Sequence, residues 1–145
     1  MPILGVLLMV NGIPQMQAMF RRKAKAVIAA ARTSAKQGGD EVADAVRYLA
    51  PRDQGELVAS VRVEQADTVK TRKGDREFIG VIVKAGDAST TISNDAGEIF
   101  QNARIQEFGT KNMPANPFFF PAWRLNRARI RSRISGSVSK AWKNG

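Results

Sequence analysis

The chain has 145 residues, 43% of them hydrophobic, and its 23 Lys and Arg outnumber 13 Asp and Glu for a net charge of +10. That length suits one domain with a real core and falls short of two. With neither cysteine nor histidine, disulfides, thiol nucleophiles, imidazole bases and the usual zinc and haem ligand sets are all excluded. Any catalysis would rest on carboxylates, lysine or serine. The charge is uneven: residues 1–50 carry +4, residues 51–117 carry −1 and residues 118–145 carry +7. Basic ends on a neutral middle predict terminal segments that meet polyanion or an acidic protein surface.

The opening run MPILGVLLMVNG is apolar but lacks the positively charged start of a signal peptide. Ile3 to Val10 also falls far below the roughly 20 residues that cross a bilayer, so no membrane contact is expected. It reads as a strand stopped by Gly12. Pro14 fits the first turn of a helix, and Gln15 to Lys36 is rich in Ala, Met, Arg and Lys. Met16, Met19 or Phe20, Lys23, Val27, Ala30 and Ala31 trace its apolar stripe, with Arg21, Arg22, Lys25 and Arg32 mostly outside it. Gly38-Gly39 is expected to break or thin this helix. Asp40 would cap its continuation through Val42, Ala45, Val46 and Leu49, and Pro51 would end it.

A turn at Asp53-Gln54-Gly55 precedes a short helical turn from Glu56 to Ser60. Val61 and Val63, then Phe78 to Val83, form two β-type runs joined by the charged DTVKTRKGDRE, a hairpin with a long solvated tip. A third short strand is expected near Thr90 to Ser93, and Ala103 to Phe108 reads as a short helix or edge strand stopped by Gly109. The stretch PANPFFFPAW follows, three phenylalanines held between prolines. Prolines 114, 117 and 121 would keep it extended, so that Phe118 and Phe120 enter the core while Phe119 faces a partner. Core closure and an intersubunit contact are both open readings of this ledge. Pro121 opens a last helix with Trp123, Ile130, Ile134, Val138 and Ala141 on one side and a frayed end after Gly136.

Arg124, Arg127, Arg129, Arg131 and Arg133 crowd that helix. They suit phosphate contacts, or equally a solvated face or acidic neighbouring subunits. Two carboxylate pairs, Asp53 with Glu56 and Glu98 with Glu107, are close enough in sequence to suggest acid–base chemistry, but turn capping explains Asp53 better. There is no phosphate loop, nucleophile elbow or metal spacing, and no cofactor is expected.

Two pieces of the chain, AVRYLAPRDQGELVASVRV (45–63) and ARIQEFGTKNMPANPFFFPAW (103–123), occur in this order with a hairpin between them. Together they resemble the small tail-completion or tail-terminator proteins of the head–tail junction in long-tailed bacteriophages and gene transfer agents. Ala50, Pro51, Gly55, Leu57 and Ser60 match an A-P-x-x-T-G-x-L-x-x-S segment, with Gln54 in place of its Thr. Glu107, Gly109, Thr110, Pro114, Pro117, Phe118, Pro121 and Ala122 match E-x-G-T and P-x-x-P-F-x-x-P-A. The resemblance implies an α+β fold, a long N-terminal helix on a small antiparallel sheet with a C-terminal helix. Residues 1–123 would form the domain and 124–145 its basic extension.

It further implies a structural virion protein and no enzyme: a homo-oligomeric ring, six copies expected, that caps the tail tube and meets the neck or connector proteins. The ring would assemble in the host cytoplasm. The candidate subunit interface is Pro51, Gly55, Leu57, Glu107, Gly109, Phe118, Phe119, Phe120 and Trp123. The basic helix would face an acidic stretch such as Asp87 to Glu98 of a neighbour, or DNA in the lumen through Arg21, Arg22, Lys25 and the five arginines. A plain nucleic-acid-binding module is the rival reading.

Overall fold

The computed structural model describes every residue but Met1 and Gln54, and for residues 2–11 the backbone alone. The turn expected at Gln54 therefore lies outside the described residues. The elements in chain order are α1 (Pro2–Leu49), α2 (Glu56–Ala59), β1 (Arg62–Thr71), β2 (Gly74–Lys84), β3 (Thr91–Ser93), β4 (Ile99–Gln101), α3 (Asn102–Phe108) and α4 (Phe119–Asn144). Two antiparallel hairpins, β1–β2 and β3–β4, lie between the two long helices, which makes the fold α+β.

The first run is helical, which corrects the expected strand at Ile3 to Val10. An apolar run without alternation does not distinguish strand from helix, and Leu and Met favour the helix that Gln15 onward already forms. Pro14 consequently sits inside α1 instead of opening it. Gly38-Gly39 does not interrupt α1 either. A Cβ on Gly38 would lie 2.7 Å from Cγ2 of Ile130 in α4, and one on Gly39 would lie 2.5 Å from Cγ2 of Val81 and 3.1 Å from Cγ1 of Val63. The two glycines let α4 and the hairpin approach α1 closely from two directions. Their tolerance of unusual backbone angles is not used; their missing side chains are.

The core gathers Val42, Ala43 and Val46 of α1 and Ala50 just past its end with Leu57, Val61, Ala103, Phe118, Ala122 and Ile130. α4 runs antiparallel to α1: Ile130 meets Gly38, while Lys23 donates from Nζ to the Trp142 carbonyl at 2.8 Å and Phe20 lies against the Trp142 ring. α4 continues through Gly136 to Asn144, so its expected fraying is not seen. Residues 12–19 of α1 extend past that contact and are exposed all round.

The β1–β2 hairpin is tighter than expected, because both strands reach into DTVKTRKGDRE and leave only Arg72 and Lys73 between Thr71 and Gly74. Its register shifts where Asp67 stands opposite both Phe78 and Ile79. Such a bulge turns two consecutive side chains of one strand out of strict alternation. β3 falls where expected, and β4, which sequence reading missed, pairs with it through Ile92 opposite Phe100.

Ion pairs tie α1 to α4 and β1 to β2. Glu41 of α1 accepts from Arg133 at 2.5 Å and from Arg129 at 3.2 Å, and Glu64 accepts from Arg62 and Lys84. The Arg133 hydrogen bond, aided by Arg129, holds the Glu41 carboxyl below its ordinary range, and Lys84 with Arg62 does the same for Glu64. A carboxyl depressed in the folded chain binds fewer protons there than when unfolded, so its contribution is complete above the unfolded value and disappears as pH falls through the folded one. Glu41→Gln should therefore flatten the loss of stability below about pH 4. Urea midpoints measured down to acid pH check this, and a slope equal to the parent's would show that the pair contributes nothing.

A carboxylate-capped aromatic shelf and an apolar cleft

The start of α4 has no side-chain cap of its own: Phe118 takes the capping position with φ −132 and ψ −31. The cap comes instead from α3, eleven residues upstream. Glu107 Oε2 accepts from the backbone N–H of Phe118 and of Phe119, both at 2.8 Å, and Oε1 accepts from that of Phe120 at 3.1 Å. The first N–H groups of any helix lack intrahelical partners, and a carboxylate there also opposes the positive end of the helix dipole. Glu107 is only 7% exposed and every oxygen is used, so it serves the fold of its own chain.

The loop between them is shaped to bring this about. Gly109 has φ +71, and a Cβ there would stand 2.6 Å from the Ala115 nitrogen. Thr110 and Met113 exchange backbone hydrogen bonds, the Thr110 hydroxyl accepts from Met113 N at 3.1 Å, and Asn116 N donates to the Gln106 carbonyl at 2.7 Å. The chain from Glu107 to Phe118 thus closes on itself. Ser60 plays a similar part earlier, donating to the Leu57 carbonyl and accepting from Gly86 N at 2.8 Å.

This geometry corrects the extended ledge. Phe119 and Phe120 form the first turn of α4, and neighbours on a helix diverge by about 100° instead of pointing to opposite sides. Phe118 alone is fully buried, Phe119 is half-buried, and Phe120 is 46% exposed. Phe108, which sequence reading passed over, is 65% exposed and lies 6.1 Å ring to ring from Phe120. The sequence carried little signal for it: adjacent helix positions differ by about 100°, so Phe108 leaves the direction of Glu107, but which of the two is buried depends on α4, far along the chain.

Beside this shelf runs an apolar cleft of about 520 Å³. Gly38, Gly39 and Val42 of α1 form its floor, Phe78 to Val83 one wall, and Phe119, Phe120, Trp123, Ile130 and Ile134 the other. Both bulge residues, Phe78 and Ile79, line it, and Ile79 is 46% exposed.

The other candidate residues separate. Leu57 is buried, Pro51 and Gly109 are half-buried, and Gly55, with φ +78, begins α2 on the surface. Pro51, Asp53, Gly55 and Glu56 share a smaller cleft of about 220 Å³ with Thr90, Ile92 and Asn102, which neither Glu98 nor Glu107 lines: Glu98 bonds to Asn94 and Glu107 to the start of α4. Arg129 and Arg133 are committed to Glu41. Arg124, Arg127 and Arg131 are exposed, and among the described residues they make no ion pair; Arg21, Arg22 and Lys25 are likewise exposed along α1. Asp87 is occupied by Ser89, whose hydroxyl and N–H it accepts from and which hold its carboxyl below the usual range. Among the described residues there is no metal-binding cluster, and no helix is long and apolar enough to cross a membrane.

No curated protein and no solved structure matches the chain. A family of phage proteins does match, over residues 15–109, which covers α1 from just after Pro14, both hairpins and α3 up to the Gly109 turn. The family carries the description "Bacteriophage HK97-gp10, putative tail-component". With more than half of its residues inside that match, the chain belongs to the HK97-gp10-like family of phage tail components.

Proposed function

We propose that this chain is a tail-completion or terminator subunit, which forms a ring at the head–tail junction, caps the tail tube and presents a docking face to the neck. The observation that supports it most is how much apolar surface the folded subunit leaves uncovered. Phe108, Phe120 and the cleft walls at Ile79 and Phe78 form one continuous region. Uncovered apolar surface of this extent on a small domain marks a protein contact. A closed ring needs two different patches per subunit, which suits a molecule with a basic helix and a separate acidic hairpin. Family membership supplies the setting, a component of the phage tail.

Mass measurement of the protein alone and after mixing with its tail tubes tests this. Ring-sized species are expected in at least one sample, and persistent monomer in both overturns the proposal. The free guanidinium groups of Arg124, Arg127 and Arg131 favour one second reading, non-specific contact with DNA. A monomer that binds duplex DNA with a steep salt slope, reduced when these arginines are replaced, would support that reading instead.

A further inference from the structure

The β3–β4 hairpin is a small tongue with apolar residues on both faces. Ile92 and Phe100 stand opposite each other on one face, and Ile99, 73% exposed, projects from the other. A lone two-stranded hairpin with uncovered apolar side chains is marginal by itself. Here its turn is tightly fixed: Asn94 Oδ1 accepts from Glu98 N at 2.9 Å, Asn94 Nδ2 donates to Glu98 Oε2 at 2.8 Å, and Gly97 takes the left-handed angle the turn requires. Its base is tied down too, where Gln101 bonds to Thr90 and to the Asp87 carbonyl. The tongue carries two acids, Asp95 and Glu98, which make no ion pair among the described residues.

The cleft between β2 and α4 has the complementary character. Its floor and walls are apolar. On α4, Arg124, Arg127 and Arg131 recur at three- and four-residue spacing, which puts them on one face with Phe120, at the lip of the cleft wall. The hairpin does not occupy the cleft of its own chain, since Ile99 and Phe100 are exposed and neither lines it.

We infer that the β3–β4 tongue of one copy seats in the β2–α4 cleft of a second copy, with Ile99 and Phe100 against the apolar walls and Asp95 and Glu98 against Arg124, Arg127 and Arg131. The inference rests on the ring reading and names its contact. The two patches lie on different parts of the surface, so each copy can give a tongue and receive one, as a closing ring requires. The fixed turn reduces the entropy lost on docking. The arginine row sets orientation and the rate of encounter more than raw affinity.

The absence of native cysteine makes the test clean. A variant carrying Ile99→Cys and Phe120→Cys, assembled on tail tubes and oxidised, should give a ladder of disulfide-linked multimers, and neither single variant should pass dimer. Glu98→Arg should lower assembly about tenfold or more, and Arg127→Glu with Arg131→Glu should restore it. Rings that form but do not cross-link at this pair, or charge reversal without rescue, overturn the docking and leave the ring reading intact. Cross-linking of Phe120→Cys to Met16→Cys on the projecting end of α1 would likewise overturn it, assigning the cleft to another segment. No species larger than monomer under any condition overturns both.

Discussion

Replacing Glu107 with Ala should destabilise the chain by about 3 kcal/mol, since hydrogen bonds to a charged acceptor are individually worth more than neutral ones and buried donors would be left unpartnered. Three N–H groups, those of Phe118, Phe119 and Phe120, share this one carboxylate. Without it the first turn of α4 loses its anchor to α3, and Phe118, 1% exposed, loses the backbone geometry that holds it in the core. Glu107→Gln, which keeps one acceptor oxygen but turns an amide NH₂ toward donors, should fall between Ala and parent. Glu107→Asp, one methylene short, should also fall there. Urea unfolding of the three variants gives the order. An Ala variant within about 0.5 kcal/mol of the parent would show that the cap is dispensable.

The second large effect is a reversal of sign between glycines. In helix interiors Gly→Ala normally stabilises by about 0.5–1 kcal/mol. Gly136 in α4 has nothing within 4 Å of the position its Cβ would take, so Gly136→Ala should follow that rule. Gly39 and Gly38 should break it. Their added methyl groups would press on Val81 and Ile130, β-branched side chains with little freedom to turn aside. Overpacking of this kind costs about 1–3 kcal/mol, enough to outweigh the gain in helix propensity. Thermal unfolding should therefore raise the midpoint for Gly136→Ala and lower it for Gly39→Ala. Two midpoints that rise together would mean that α1 is not clasped between α4 and the hairpin.

These glycines also show why the fold was only partly legible in the sequence. Local pattern found α2, the β1–β2 hairpin, β3 and the apolar stripe of α4, and narrowed α3 to a helix or an edge strand, because each is set by residues close to it in the chain. The Gly-Gly pair reads as a break by local propensity and functions as a crossing point, since its meaning depends on Ile130 and Val81, far away in sequence. The extended reading of Phe118 to Phe120 failed for the same reason. No Ser, Thr, Asp or Asn stands where α4 begins, and the group that replaces them lies on another helix.

The candidate site shows the same division. Glu107, Gly109, Leu57 and Ser60, which carry the resemblance to phage tail proteins, turn out to hold the subunit's own frame together. Of the side chains left free beside them, Phe120, Arg124, Arg127 and Arg131 already stand out in the sequence as part of an aromatic and a basic run, whereas Phe108 and Ile99 carry no motif and are found only by seeing which faces the fold leaves open.

One property of α1 reaches further. Its later turns are clamped between α4 and the hairpin, while residues 12–19 lean out past the last contact with Trp142, a cantilever in mechanical terms. Helical turns without tertiary support open at little free energy, so rigidity must decline along this single rod from its rooted half to its overhang. In the ring proposed above, a neighbour that gripped the overhang would bend or straighten it without disturbing the core, a compliant arm on a stiff body.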